Sequence, residues 1–302
     1  MRQSHDFVGL TILLALAAPA FAQETRMVSV DDRAMRVQIA GLEQLGKVPT
    51  VIFESGGGGW SVGGWDQIFA EIAKAAPVIA YDRAGYGRSE PDGQPPTPRH
   101  NAEKLHRLLA QLQLKPPYVL VGHSWGGPLI RMFAALYPGE VAGMIYLDPT
   151  DLHSREQEIE HLRAIGYTVE GAAAYVTRYR QDFAAYIATL PPVVQVEMKL
   201  IDGIERSDAP EFQRMPPVPS VPISIVLAGK REPWIWNGRP CEPEVCYERR
   251  LDFRRQWLQR WIANANPGSI TVDIMSGHVI PTDNPALVAA EIRKVLALAK
   301  SN

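Results

Sequence analysis

The chain has 302 residues, a formal net charge of −2 and 46% apolar residues. Its 31 Lys and Arg nearly balance 33 Asp and Glu without a basic block, so it lacks the positive surface that nucleic-acid binding or attraction to anionic membranes requires. Two cysteines are too few for a disulfide-scaffold protein. The length allows one large domain, since single α/β domains of roughly 250 residues are common.

Residues 1–22 are predicted to be a cleavable export signal. Arg2 gives a positive start, residues 7–18 (FVGLTILLALAA) are apolar, and residues 20–22 (AFA) place small side chains where a signal peptidase reads them. The apolar run is shorter than the ~20 residues that cross a bilayer, and no cysteine follows it for lipidation. We therefore expect a mature chain of residues 23–302, exported to the periplasm or the medium without a stable membrane anchor.

The two cysteines suit an oxidising compartment, in which disulfides persist. Cys241 and Cys246 lie five residues apart among prolines (PCEPEVCYE), which favours a small disulfide loop. A metal site would need further His or Cys nearby, and a redox pair more often has two residues between its cysteines. The sequence therefore predicts a structural disulfide between Cys241 and Cys246.

Strand and helix patterns alternate along the mature chain. Residues 27–39 predict a β-hairpin. Further strands are predicted at residues 51–53, 78–81, 118–121, 141–147, 223–227 and 270–274, and helices at residues 65–75, 101–114, 125–137, 251–262 and 285–299. This order predicts an α/β fold with a mostly parallel sheet and helices on both of its faces.

The alternation stops between about residues 150 and 219. This segment has a helical pattern, is rich in Tyr and Phe, and ends in a proline cluster at residues 216–222. We predict a helical cap inserted into a single domain rather than a second domain.

One short segment places a serine between glycines where a predicted strand meets a predicted helix. Residues 122–126 (GHSWG) match the pattern G-x-S-x-G in the strand-to-helix context that gives the pattern its meaning. So sharp a turn strains the serine backbone and leaves room only for glycine two residues before and after it. The new helix also directs backbone N–H groups toward the hydroxyl. Ser124 is therefore the predicted nucleophile.

A serine hydroxyl needs a base that removes its proton. Of the seven histidines, His278 directly follows the predicted strand 270–274, at the strand end where the sites of open α/β sheets collect. His123 flanks Ser124 with its side chain directed away from it, and the other histidines lie in the signal, on or before a helix, or in the insertion. His278 is therefore the predicted base.

Three ordered motifs resemble the α/β-hydrolase superfamily. Beside the GHSWG turn, residues 81–89 (YDRAGYGRS) resemble the family's D-x-x-G-x-G-x-S loop, and residues 276–278 (SGH) with the following residues 284–285 (NP) resemble its C-terminal histidine segment. The likeness covers nearly all of the mature sequence. It implies an α/β-hydrolase fold with a Ser-His-acid triad, and no metal or organic cofactor.

The triad acid has two main candidates, because members of the superfamily take it from either of two strand ends. Asp148 ends the apolar strand before the insertion, and Glu232 follows the first strand after it. Either carboxylate can orient His278 and stabilise its charged form. We favour Asp148 because Glu232 stands in a charged segment bounded by proline (KREP), and Asp151 is a more distant alternative.

Acyl transfer also needs hydrogen-bond donors for the developing oxyanion. The resemblance implies the backbone N–H of Trp125, the residue after the nucleophile, as one donor. The second is expected from the loop at residues 54–60 (ESGGGGW), whose four glycines let the backbone approach a substrate closely. Gly57 is our first choice, and Ser55 stands where the superfamily usually has a histidine. No Lys-Ser/Thr follows these glycines, which argues against a phosphate-binding loop.

The nucleophile type separates this chain from neighbouring chemistries, because dehalogenases and epoxide hydrolases of this architecture use an Asp where Ser124 stands. The resemblance implies an acyl-enzyme at Ser124 that water resolves, with His278 acting first as base and then as acid. Transfer to an alcohol or peroxide, as in acyltransferases and perhydrolases of the superfamily, stays open as an alternative. So does a non-catalytic binding protein on the same fold.

Carboxylic esters are the expected small-molecule substrates, ahead of thioesters, lactones and amides. Specificity is expected in the insertion and in residues 234–236 (WIW), whose aromatic side chains favour an apolar or aryl group. Tyr175, Tyr179 and Phe183 are also spaced as a helix face, which is more typical of packing than of a pocket.

Overall fold

A computed structural model describes residues 23–58, 61–206, 210–231 and 242–299. Eight strands of these residues form one sheet in the order β1-β2-β4-β3-β5-β6-β7-β8. The strands are β1 Glu24–Val30, β2 Arg33–Ala40, β3 Thr50–Glu54, β4 Val78–Tyr81, β5 Tyr118–His123, β6 Val141–Leu147, β7 Ile223–Ala228 and β8 Gly268–Asp273. β2 is antiparallel to β1 and β4, and all other neighbouring strands are parallel.

Helices fill the connections between the parallel strands, and two more follow the last strand, β8. They are α1 Asp66–Ala73, α2 Pro98–Gln111, α3 Gly126–Leu136, α4 Arg155–Ala164, α5 Val169–Thr189, α6 Pro192–Arg206, α7 Pro210–Gln213, α8 Pro243–Gln259, α9 Ile280–Asp283 and α10 Pro285–Ala299. Within the described residues, no helix has both the length and the apolar character needed to span a bilayer.

Two apolar clusters explain why the central strands are continuous apolar runs rather than alternating ones. Leu108 of α2, Phe133 of α3 and Leu258 of α8 belong to the cluster on one face of the sheet. Phe69 of α1 and Ile292 of α10 belong to the cluster on the other face. With both faces covered, strands β3 to β6 bury nearly every side chain. The predicted α/β fold with a mostly parallel sheet is confirmed.

Helices α4 to α7 lie between β6 and β7, in the segment where the alternation of strand and helix patterns stops. Side-chain caps fix where the first of them begin. The hydroxyl of Ser154 accepts the N–H of Gln157, whose side chain in turn accepts the N–H of Ser154, and the hydroxyl of Thr168 accepts the N–H of Gly171.

Helix α8 begins eight residues before the predicted start at residue 251, because Pro243 opens it. A proline at the first helical position has its φ angle already set for a helix and lacks only an N–H that would have no partner there. The first turns of α8 place their apolar residues next to one another at 245–247 and not at helical spacing, so the pattern missed them. Cys246 consequently lies buried within a helix and not in a loop, while Cys241 lies outside the described residues.

Candidate active site

The turn between β5 and α3 presents Ser124 at the carboxyl end of the sheet. Ser124 has a φ angle of 51°, a left-handed conformation that is strained for serine. A Cβ atom on Gly122 would lie 2.5 Å from the carbonyl oxygen of Gly126, and one on Gly126 would lie 2.2 Å from that of Glu54. Both positions therefore admit only glycine, for the steric reason that the motif suggested.

The structure brings Ser124, His278 and Asp148 into one chain of hydrogen bonds. The Nε2 atom of His278 lies 2.9 Å from the Ser124 hydroxyl oxygen, and its Nδ1 atom lies 2.7 Å from Oδ2 of Asp148. Because a carboxylate only accepts, Nδ1 carries the proton and Nε2 is left to accept from the serine hydroxyl. This arrangement lets the imidazole withdraw a proton from Ser124.

Asp148 follows β6 in a buried position, with a positive φ angle of 41°. Its Oδ1 atom accepts the N–H of Ala228 at 3.0 Å and a guanidinium N–H of Arg254 at 2.5 Å. Burial by itself raises the pKa of this carboxyl, but the charge of Arg254 and the hydrogen bond from His278 together hold the pKa below its ordinary range. The carboxylate is therefore ionised at neutral pH.

Arg254 of α8 is a site residue that the sequence patterns did not indicate. It contacts both carboxyl oxygens of Asp151 and donates to the carbonyl oxygen of Pro149 at 3.0 Å. Asp151, the most distant of the acid candidates, thus faces Arg254, whereas Asp148 faces His278. Glu232, the second candidate, lies outside the described residues.

His123 contacts the backbone of the loop after β8, which carries His278 and is called the histidine loop below. Its Nε2 lies 2.8 Å from the carbonyl oxygen of His278, and the two rings are 5.0 Å apart between centroids. Burial, with the nearby His278 ring, lowers the pKa of His123 to about 4, so at neutral pH the neutral ring donates its Nε2–H to that carbonyl. His123 therefore positions the backbone of His278.

Two carboxylates that flank the SGH motif fix the rest of the histidine loop. The Asp273 carboxylate accepts from the Ser276 hydroxyl at 2.5 Å and from the Asn284 amide at 2.9 Å. The Asp283 carboxylate accepts the N–H of Gly277 at 2.8 Å. These bonds explain why serine and asparagine accompany the histidine in the sequence.

The glycine-rich loop after β3 lies directly over the serine turn. The Cβ position of Gly56 is 3.3 Å from Cβ of Ser124, and that of Gly57 is 3.5 Å from Cβ of Trp125. The same position of Gly57 is 3.0 Å from Cδ1 of Ile201 in α6. The two segments predicted to supply oxyanion donors are thus neighbours, beneath a helix of the insertion.

Apolar residues of the insertion pack against Trp125, the residue that follows Ser124. Trp125 and Leu129 form a buried cluster with Leu152 and Ile201, and Met198 and Phe212 pack against it. The aromatic residues of α5 lie elsewhere, as their spacing suggested.

Tyr175 packs beside the buried cluster of α4 and α5, and its ring lies 5.6 Å from that of Tyr167 between centroids. Tyr179 is 55% exposed and stacks on Phe183 of its own helix. The aromatic residues 234–236 lie outside the described residues.

Residues 51–291 match the family described as the alpha/beta hydrolase family. The chain belongs to the α/β-hydrolase family. Among curated proteins, the uncharacterized protein YqjL of Bacillus subtilis is 34% identical to this hydrolase over 100 residues, which are 33% of this chain. That match spans 39% of the length of YqjL.

Solved structures show the same fold at low identity. The epoxide hydrolase CorEH superposes on this hydrolase with a TM-score of 0.60 at 18% identity, over 92% of this chain and 99% of CorEH. A mutant of the N-acyl homoserine lactonase AidH, complexed with N-hexanoyl homoserine, superposes with a TM-score of 0.57 at 18% identity, over 90% and 96% of the two chains. At this identity the likeness carries the fold and not the substrate.

Proposed function

We propose that the chain is an exported serine hydrolase that cleaves carboxylic esters through a Ser124, His278 and Asp148 triad. The observation that carries the proposal is the continuous hydrogen-bonded chain from the Ser124 hydroxyl to the Asp148 carboxylate, with separations of 2.9 and 2.7 Å. Its strained serine sits on a turn that only glycines permit, an arrangement that costs stability and is typical of active sites.

The proposed reaction has two halves. His278 removes the hydroxyl proton as Ser124 attacks the ester carbonyl, and the backbone N–H groups of Trp125 and Gly57 stabilise the resulting oxyanion. His278 then donates its proton to the leaving alcohol, and an acyl-enzyme remains on Ser124. Water then gives a proton to His278 and attacks the acyl carbonyl, the bond to the Ser124 oxygen breaks as the acid is released, and His278 returns the proton to that oxygen. Asp148 stays ionised throughout and stabilises the imidazolium.

The deciding experiment is covalent labelling with a fluorophosphonate probe, followed by mass spectrometry of the labelled peptide. We expect the probe to modify Ser124 and the Ser124→Ala variant to stay unlabelled and inactive. Ser269→Ala is the matched control, because this serine lies at the opposite end of the sheet, at the start of β8. Folded wild-type protein that takes up no label would instead favour a non-catalytic binding protein.

The apolar cluster beside the nucleophile supports substrates with an apolar acyl or aryl group. We expect medium-chain and aryl p-nitrophenyl esters to have a higher kcat/KM than p-nitrophenyl acetate. Each buried methylene contributes roughly 0.8 kcal/mol, so two further methylenes should raise kcat/KM by about tenfold. A preference for acetate would contradict this substrate class.

Export and the disulfide belong to the same proposal. The N-terminus of the protein recovered from the periplasm or medium should begin at Gln23, as determined by N-terminal sequencing. Thiol titration of the unfolded, non-reduced protein should find no reactive thiol at Cys241 or Cys246. An intact Met1 in the recovered protein would contradict the cleaved export signal. Two titratable thiols would contradict the disulfide.

A further inference from the structure

Arg83 lies buried behind the glycine-rich loop, between the end of β3 and helix α6. One terminal nitrogen, Nη1, donates to Glu54 at 2.8 Å and to the carbonyl oxygen of Ser55 at 2.6 Å. The other, Nη2, donates to the carbonyl oxygen of Gly56 at 2.7 Å. A single side chain thus holds two consecutive carbonyl groups of the loop that covers Ser124.

Glu197 of α6 holds the same guanidinium from the insertion. Its two carboxyl oxygens accept from Nε and Nη2 of Arg83, each at 3.0 Å. Glu197 also accepts the hydroxyl of Tyr86 at 2.8 Å. Arginine has five N–H donors, and these contacts use every one of them. Lysine, with three donors on one nitrogen, cannot reproduce the planar fork.

Hydrogen bonds to Asp82 fix the conformation of the loop that carries Arg83. The carboxylate of Asp82 accepts the N–H groups of Val62 at 2.9 Å and Arg88 at 3.0 Å. The Ser89 hydroxyl donates to the carbonyl oxygen of Asp82 at 2.7 Å. A Cβ atom on Gly87 would lie 2.1 Å from the Asp82 carboxylate, so the loop closes only with glycine there. The YDRAGYGRS motif therefore fixes the backbone from which Arg83 extends.

Peptide geometry turns these contacts into a constraint on the N–H groups. A trans peptide is planar, and its N–H points away from its C=O. The peptides that join residues 55–56 and 56–57 are both trans. With both carbonyls directed at Arg83, the N–H groups of Gly56 and Gly57 point away from the guanidinium.

Burial of this charge cluster costs desolvation free energy, which the ion pairs within it only partly offset. Glu54, Arg83 and Glu197 are all nearly inaccessible to solvent. Burial raises the pKa of Glu54 despite the attraction of Arg83, and the hydroxyl of Tyr81 contacts its second oxygen. Apolar residues of the same volume often stabilise a fold as well as a buried ion pair does. Stability alone therefore does not explain the buried charges, whereas their contacts with the loop carbonyls point to a role in orienting that loop.

We propose that Arg83 is the positioning residue of the oxyanion hole and that Glu197 holds Arg83 in place, so the insertion and the oxyanion donors form one coupled unit. The inference rests on the proposed ester hydrolysis. It assigns the buried arginine to orientation of the donors and assigns helix α6 a part in catalysis beyond covering the substrate.

The first test is Arg83→Lys, which keeps the buried positive charge but loses the fork. We expect kcat for p-nitrophenyl butyrate to fall by about 10²-fold with KM changed less than about threefold, because an oxyanion contact acts in the transition state. The Ki of an alkylboronic acid, which forms a tetrahedral adduct on Ser124, should rise by a similar factor. Arg293→Lys, at an exposed ion pair on α10, is the matched control.

The second test is Glu197→Gln, which removes the bidentate acceptor from α6 and leaves Arg83 unchanged. We expect kcat to fall and the boronate Ki to rise together by roughly tenfold, less than in Arg83→Lys because the carbonyl contacts remain. Glu211→Gln makes the same chemical change at an exposed site in the same insertion and should behave as wild type. All values are normalised to active sites counted by complete fluorophosphonate labelling.

The outcomes separate the two proposals. Wild type without ester hydrolysis or labelling removes the proposed function and this inference with it. If wild type is active and Arg83→Lys folds, two results would remove the inference alone. One is a kcat of Arg83→Lys within threefold of the wild-type value. The other is a fall in kcat without a matching rise in the boronate Ki. If Arg83→Lys does not fold, the Glu197→Gln variant tests the inference instead. A kcat and a boronate Ki of Glu197→Gln equal to those of Glu211→Gln would overturn the coupling.

Discussion

At the scale of single residues, two buried arginines set the charge balance around Ser124. Arg83 faces the carbonyls of the glycine-rich loop, and Arg254 lies 2.5 Å from the carboxylate that also accepts from His278. A positive charge close to a carboxylate favours its ionised form. Arg254 therefore helps to keep Asp148 ionised beside His278.

The identity of the triad acid can be tested by paired amide substitutions. Asp148→Asn should lower kcat by about 10⁴-fold, because an amide neither stabilises the imidazolium nor holds the right tautomer. Glu232→Gln should stay close to wild type in the same p-nitrophenyl ester assay. A collapse of turnover in Glu232→Gln alone would show that the assignment to Asp148 is wrong.

The charge of Arg254 should appear in the pH dependence of the reaction. Replacement of Arg254 by Met removes the charge that most strongly lowers the pKa of Asp148, so the carboxylate should take up a proton at higher pH and the acid limb of the kcat/KM profile should move to higher pH. Arg255→Met is the matched control, since this neighbour pairs with Asp252 on the exposed side of the same helix. An unchanged acid limb in Arg254→Met would argue against electrostatic tuning.

Sequence patterns located some of these residues and not others for a physical reason. Ser124, Asp148 and His278 each follow a strand, and the carboxyl ends of parallel strands meet at one edge of the sheet. Arg83 and Glu197 stand 114 positions apart, and neither has a local pattern that indicates its partner. In sequence each resembles an ordinary charged residue of a loop or helix surface.

At the scale of elements, the turn between β5 and α3 is the most tightly determined part of the fold. Gly122 and Gly126 lie against backbone atoms of α3 and β3. Because neither residue has a Cβ atom, the helix can approach the sheet this closely. Both were predicted from the motif, since the steric demand is local. The start of α8 was predicted eight residues too late, because its first turns lack an apolar residue at every third or fourth position and Pro243 opens the helix.

The steric demand at the turn predicts a stability difference between two glycines. Gly126→Ala should destabilise the protein by about 3 kcal/mol, because its Cβ would lie 2.2 Å from the rigid carbonyl oxygen of Glu54. Gly139→Ala, where nothing lies within 4 Å, should change stability by less than about 1 kcal/mol. Urea unfolding followed by circular dichroism measures both, and equal losses would contradict the explanation.

At the scale of the whole molecule, two ion-pair clusters connect distant parts of the chain through the site. The contact of Arg254 with Asp148 joins α8 to β6, and that of Arg83 with Glu197 joins the sheet edge to α6. The insertion and the core of the sheet therefore meet at the groups that surround Ser124. A change that loosens the insertion should alter the surroundings of Ser124 through these contacts.

The first cluster predicts how stability depends on pH. The pKa of Asp148 is lower in the folded chain than its ordinary value, so its stabilising effect is complete above about pH 4 and is lost as the pH falls toward the folded pKa. Arg254→Met should therefore cost about 3 kcal/mol near neutral pH. The gap from wild type should narrow below about pH 4, because Asp148 then takes up a proton in the unfolded chain while Arg254 still keeps it ionised in the folded wild type.

Urea unfolding of wild type and Arg254→Met across this pH range measures the gap, with Arg255→Met as the control. A gap that stays constant with pH would mean that Arg254 acts through packing of its side-chain stem and not through its charge.

The sequence by itself determined the strand order along the chain, the fold class and the glycine-flanked turn, because these depend on local patterns and local steric limits. It also placed a serine, a histidine and two candidate acids after strands. Only the tertiary structure decided that Asp148 faces His278 and that two buried arginines contact this carboxylate and the glycine-rich loop. Contacts between residues more than 100 positions apart depend on how helices pack against the sheet, and no local pattern encodes that packing.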